Sequence, residues 1–262
     1  MAQVAITVKY TFLDYLRSRR FLIMTVIFPV IIGGILTIIV AHFRPILMLS
    51  SAPNFYSTFW GMFASDLAII LGIAFGGDGI SAEFQNKTGY FTVPNPIRRS
   101  SIYVGKYIAS FIASSLILVF YLLVAVLNGL HYFGASFPYE LGYSFLFAWF
   151  YLLAVIGFAF MFSSLFKTSS YSILVSFLLL FIGFSIMSSL IQVLTGTEPW
   201  YILNYGAGII SNIFIVPYPV TTTRLGFTTF VPTIPEGLAI MAGYFLATSV
   251  IGLLLFERKE FN

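Results

Sequence analysis

Few side chains in this sequence could do chemistry, and those few stand in incomplete patterns. The only Gly-Lys pair is Gly105-Lys106, followed by Tyr107 and with no glycine five residues before Gly105. A phosphate-binding loop needs G-x-x-x-x-G-K-[ST], because stacked backbone N–H groups cradle the phosphates, the lysine reaches their oxygens and the hydroxyl holds Mg²⁺. Nucleotide is therefore expected to bind elsewhere. Imidazole comes only from His42 and His131, with no H-E-x-x-H, which excludes a zinc protease of that type. Cysteine is absent, so there is no disulfide, thiol nucleophile or thiolate metal site to consider. The serine pairs Ser163-Ser164 and Ser188-Ser189 lack the glycine-framed pattern of a nucleophile, and small hydroxyl residues in helical bundles usually serve packing. No catalytic residue, cofactor site or metal site is expected on this chain. The exception to this quiet inventory is Asp66, a carboxylate within a long apolar run. It is the candidate residue of a transport path, with a hydrogen bond to a neighbouring helix as the plainer alternative.

The surroundings of these residues are set by composition. Of 262 residues, 59% are hydrophobic and 8% charged, against about 25% charged in a soluble domain. A net charge of +4 would suggest nucleic acid in a soluble protein; here it bears on membrane sidedness instead, and no nucleic-acid partner is expected. A hydrocarbon core about 30 Å thick needs roughly 20 apolar residues per helical crossing. Stretches of that kind run from about Phe21 to Ala41, Thr58 to Gly77, Tyr103 to Leu127, Gly142 to Phe166, Tyr171 to Thr195 and Gly237 to Phe256. Their continuity predicts helices, since barrel strands would alternate with period two. The expected fold is all-α: a single polytopic membrane domain, 1–262, with six transmembrane helices. The first apolar run lacks a cleavage pattern and is expected to stay as an uncleaved span.

With the first span starting in the cytoplasm, Lys9, Arg17, Arg19, Arg20, Lys87, Arg98, Arg99, Lys106, Lys167, Arg258 and Lys259 lie on that side, and only Arg44 and Arg224 lie outside. This asymmetry predicts a cell-membrane protein with both termini cytoplasmic. Three further segments are not simple spans. Residues 1–20 place Val4, Val8, Phe12, Tyr15 and Leu16 near one helical face and end in basic residues, as an amphipathic helix along the inner interface would. Residues 78–101 carry Ile80, Phe84 and Phe91 at roughly helical spacing before Pro94 and Pro96. Residues 196–236 hold four prolines between Pro217 and Pro235 and an apolar stretch, Ile209 to Val216, too short to cross; a re-entrant or interfacial outer segment is expected. Asn128 and Gln192, toward the outer ends of their spans, read as interfacial caps. No internal repeat supports the inverted architecture of many secondary transporters.

The loop EFQNKTGYFTVPNPIRRSSIYVGKYIAS sets Glu83 thirteen residues before Pro96, followed by Arg99 and the Gly105-Lys106 pair that opens the third span. This spacing resembles the permeases of the type-2 class of ATP-binding-cassette (ABC) exporters, as do the six spans, the basic-ended first helix and the long segment before the last span. Lys87 stands where that family often has glycine, and Tyr90 where a second acidic residue is common. The resemblance implies that the loop is a coupling helix seated on a cytoplasmic ABC ATPase subunit, with ATP and Mg²⁺ held on that subunit and none on this chain. Its partner-binding residues would be Glu83, Phe84, Lys87, Thr88, Tyr90, Phe91, Pro96 and Arg99. Phe84, Tyr90 and Phe91 would fill apolar recesses, while Glu83 and Lys87, four apart on one face, would pair with each other or with charges on the ATPase. It also implies a second permease copy or a similar permease in the same membrane lipids, and outward transport. A secondary transporter or channel acting without an ATPase is the alternative, and a membrane-anchored enzyme or assembly factor a third; the substrate cannot be read from the sequence.

Overall fold

A computed structural model describes residues 2–43, 51–87, 98–134, 137–224 and 227–259. Among the described residues, six helices are long and apolar enough to cross a membrane: Arg19–His42, Ala52–Gln85, Arg99–Phe133, Glu140–Leu165, Ser169–Thr195 and Ile234–Arg258. All six expected spans are present, and the chain is an all-α polytopic membrane protein. The third is longer than expected, 35 residues, and takes in Arg99, which the sequence reading left in the preceding loop. Nothing breaks it: the residues from Arg99 to Phe133 contain no proline, and Gly134 ends it with a φ of 64°.

The second and fourth spans form the buried centre, whereas the first, fifth and sixth present broad apolar faces outward, such as Ile35, Ile38, Ile186 and Leu190. In lipid there is no hydrophobic drive between helices, so close packing of small residues joins them. At Gly72 of the second span a Cβ would lie 2.5 Å from Val155 of the fourth; the backbones meet where a side chain would not fit.

Three spans contain a widened, π-helical turn: Val26–Ile32, Ser57–Gly61 and Leu178–Gly183. Pro29 explains the first, because proline lacks the N–H that an α-turn requires. In the other two, side chains take up carbonyls of the turn: Tyr121 donates to Phe59 O (2.7 Å) and Asn204 Nδ2 to Leu180 O (2.7 Å).

The amino-terminal helix Ala2–Arg17 does not lie free. It packs along the third span, closely enough at Gly105 that a Cβ there would meet Thr7 at 2.6 Å. Phe12, Tyr15 and Leu16 join the core, and Ile6 and Tyr10 stay exposed.

The segment before the last span departs from helix. After two short helical turns, Leu203–Gly206 and Ile209–Asn212, it forms an antiparallel hairpin of β1, Thr221–Arg224, and β2, Phe227–Phe230, with Thr221 opposite Phe230. Val231 N–H donates to Val220 O (3.0 Å), closing the hairpin at its base. The sixth span then starts on a capping box, Thr233 with Glu236.

Candidate functional site

Two places stand out, one at the end of the bundle that carries both termini and one at mid-depth. At the first, the second span ends in Met62–Gly76, turns through Gly77–Ile80 and continues as the short helix Ser81–Gln85. The last carbonyls of a helix have no partner within it and carry partial negative charge. Here they are met from outside. Arg20 donates to Ala74 O (2.6 Å) and pairs with Asp78 (2.7 Å). Tyr15 and Ser110 both donate to Phe75 O, at 3.0 and 2.8 Å. Lys106 donates to Gly79 O (2.9 Å) and forms an ion pair with Glu83.

The fourth span and the start of the fifth hold the same segment from its other side. Ser163 Oγ accepts from the backbone N–H groups of Ile80 and Ser81, both at 2.9 Å, and Gln85 Oε1 accepts from Ser169 N–H at 2.7 Å. The chain's last described residues close the ring. Lys259 Nζ donates to Ser164 O and Phe166 O, each at 2.8 Å, and lies 4.2 Å from the centre of the Phe84 ring. Burial, with the charge of Lys167 adding to it, pushes the Lys259 ammonium down to about 8. Arg99 donates to Glu257 O (2.9 Å) and Lys259 O (2.8 Å).

Several expected roles change in this light. Glu83 takes Lys106, from the third span, as its charge partner rather than Lys87, because Lys87 has left the helix: its φ is 57°. That left-handed backbone favours glycine, the residue the resembled family often carries there. Phe84 turns its ring toward Phe256, 6.5 Å away, and Arg99 serves the carboxyl-terminal end of the last span. Gln85, Asn86 and Lys87 are the exposed side chains of the segment. Thr88, Tyr90, Phe91 and Pro96 lie outside the described residues.

The second place surrounds Asp66. A cavity of about 440 Å³ opens beside it, walled by the second span, the fifth span, the two helical turns and the hairpin. Asp66 is exposed to it, lying about 15 Å along the axis from Gly76. Serine and amide side chains line much of the wall, and several of them are used within the protein. Gln192 Nε2 donates to Ser188 O and Oγ (both 3.2 Å), and its Oε1 accepts from Phe230 N–H (2.7 Å), pinning the hairpin over the cavity. Asn204 accepts from Tyr151 OH (3.0 Å) and donates to Ser185 Oγ (2.9 Å). Gln192 is thus a buried clamp, not an interfacial cap, and Asn128 is likewise buried, donating to Val124 O (2.8 Å). The interhelical hydrogen bond considered for Asp66 is absent: among the described residues no side chain donates to it.

No curated protein matches the chain. Residues 6–261 match the family model described as ABC-2 family transporter protein, which spans both places just described, the clamped turn and the Asp66 cavity. The chain belongs to the ABC-2 family of transporter proteins, as a membrane permease of the ABC transporter class.

Proposed function

We propose that this chain is the membrane half of an exporter: it moves a substrate outward using ATP hydrolysed by a separate cytoplasmic subunit, which docks on the short helix Ser81–Gln85 and the residues after it. The observation that carries this reading is the joint around that helix. A five-residue helix is too short to hold itself, yet it is tied by Lys106 to the third span, by Ser163 to the fourth, and by Lys259 to the end of the sixth. A push on its exposed side, at Gln85, Asn86 and Lys87, would be felt by three spans together. The basic residues concentrated at this end support a cytoplasmic position for it and for both termini. The apolar faces of the first and fifth spans suit a second copy or a similar permease, which would complete the pathway.

The chain has no cysteine, so a single thiol reports one place. Asn86→Cys, loaded with a photo-crosslinker in native membranes, should join this chain to a soluble protein with a phosphate-binding loop, and the tagged complex should hydrolyse ATP. A chain that purifies alone and carries out transport without nucleotide would overturn the reading.

A further inference from the structure

We propose that the cavity beside Asp66 binds a monovalent organic cation, an amphipathic amine or quaternary onium, with Asp66 as its counter-ion. This deepens the export reading, on which it rests, by naming the class of substrate.

The argument starts from charge. Among the residues that line the cavity, Asp66 alone carries a formal charge. It lies near the middle of a span, where a carboxylate persists only when neutralised, wetted or paired, and among the described residues it has neither a cation nor a hydrogen-bond donor. Amides of the same wall are engaged elsewhere, Gln192 with Ser188 and the hairpin and Asn204 with Tyr151 and Ser185. Among the described residues nothing supplies the missing positive charge, which leaves it to a bound cation.

The shape of the cavity selects the kind of cation. A metal ion needs several oxygens converging at short distance, and among the described residues no cluster of three carboxylate, imidazole or thiol groups could supply them. The volume of about 440 Å³ falls instead in the range of about 300–1,000 Å³ of small-molecule sites. Its walls include the rings of Tyr151, Tyr205 and Phe230 together with Met62, Ile69 and Val193. Aromatic faces attract alkylammonium groups, and apolar side chains accept the remainder of such a molecule. One carboxylate in a wall that mixes rings and aliphatic side chains with uncharged hydroxyls and amides suits a singly charged amphipathic cation and disfavours an anion of the same shape.

Tetraphenylphosphonium and tetraphenylborate have one shape and size and opposite charge, which makes them the probes. Labelled forms of each are dialysed against the full chain in phosphatidylcholine nanodiscs, with empty nanodiscs subtracted. Saturable binding of the phosphonium is expected, weakened at least tenfold in Asp66→Asn and recovered in Asp66→Glu, with none of the borate. Ser189→Cys, at the cavity wall, provides a second measurement that leaves Asp66 in place and decides the matter if Asp66→Asn does not fold. The phosphonium should slow maleimide labelling of that thiol at least threefold and the borate should not. Equal binding of both probes, undiminished phosphonium binding in Asp66→Asn, or a thiol indifferent to the phosphonium would overturn the proposal. So would displacement of the phosphonium by 100 mM sodium, which would make this an inorganic ion site. No nucleotide enters these measurements. A chain that binds the phosphonium but recruits no ATPase refutes the export reading alone, and one that recruits the ATPase without distinguishing the probes refutes the cation site alone.

Discussion

Ser163 and Ser164 are adjacent and both fully buried, at 0% and 1% exposure, yet their replacement by alanine should have opposite consequences. Ser163 Oγ is the acceptor for two backbone N–H groups and donates to Ser81 Oγ at 3.2 Å. In Ser163→Ala both N–H groups of the turn are left without that acceptor in a site closed to water. Each buried donor left unsatisfied costs about 1–3 kcal/mol, so the sum is about 2–6 kcal/mol, and relaxation of the turn brings the expected value to about 3 kcal/mol. At roughly 2–4 °C per kcal/mol for a chain of this size, the thermal midpoint should fall by about 6–12 °C. The Ser164 hydroxyl has no hydrogen-bond partner among the described residues. Ser164→Ala removes a desolvated polar group, so its midpoint should stay within about 2 °C of the parent or rise. The assay is fluorescence-detected size exclusion after heating, run on both variants in the same detergent. Since Ser163 ties the fourth span to the proposed docking helix, ATP-driven transport well below the midpoint should drop in Ser163→Ala and not in Ser164→Ala. Midpoints that agree within about 2 °C would refute the reasoning, because they would mean that the two N–H groups do not depend on this hydroxyl.

Two further tests concern the same end of the bundle. The Glu83 and Lys106 side chains are 14% and 15% exposed, closer to a buried pair than to a surface one, so Glu83→Gln or Lys106→Met alone should cost about 2–4 kcal/mol. The double variant should cost less than their sum by at least about 1 kcal/mol; additivity within about 0.5 kcal/mol in thermal unfolding would mean the pair does no work. Lys259, with its pKa near 8 in the folded chain and about 10.4 unfolded, binds fewer protons folded than unfolded between those values. Its burial penalty is thus fully present below about pH 8 and fades as pH rises toward 10.4. The midpoint of the parent relative to Lys259→Met should climb between pH 8 and 10, and a flat difference would place the ammonium in water.

The six spans were legible because hydropathy over about 20 residues is a local property, and so was the depth of Asp66. The hairpin was not anticipated, although Thr221 to Phe230 reads TTTRLGFTTF, with β-branched threonines on both sides of a Leu-Gly pair and aromatic residues after it; its signal is short and lies within a proline-rich stretch. The joint at the terminal end was beyond sequence reasoning for a different reason. Helical spacing pairs Glu83 with Lys87, but Lys106, 23 residues on, wins because the third span brings it against the short helix. Arg99 meets Glu257 across 158 residues, and no local pattern records such a meeting. The cavity is equally non-local, since Asp66, Gln192, Asn204 and Phe230 come from four separate segments.

The unbroken third span has a mechanical meaning. At 35 residues it is a rod about 52 Å long, longer than the membrane is thick, with Lys106 gripping the short helix two turns from one end. Tilting such a rod by about 5° about that end carries its far tip about 4–5 Å sideways, nearly a full helical rise per turn. The first, second and fifth spans, each interrupted by a widened turn, have places to yield; the third has none. A displacement too small to see at the proposed docking helix would thus arrive magnified at the opposite face, with the stiff member setting the stroke and the soft ones absorbing it.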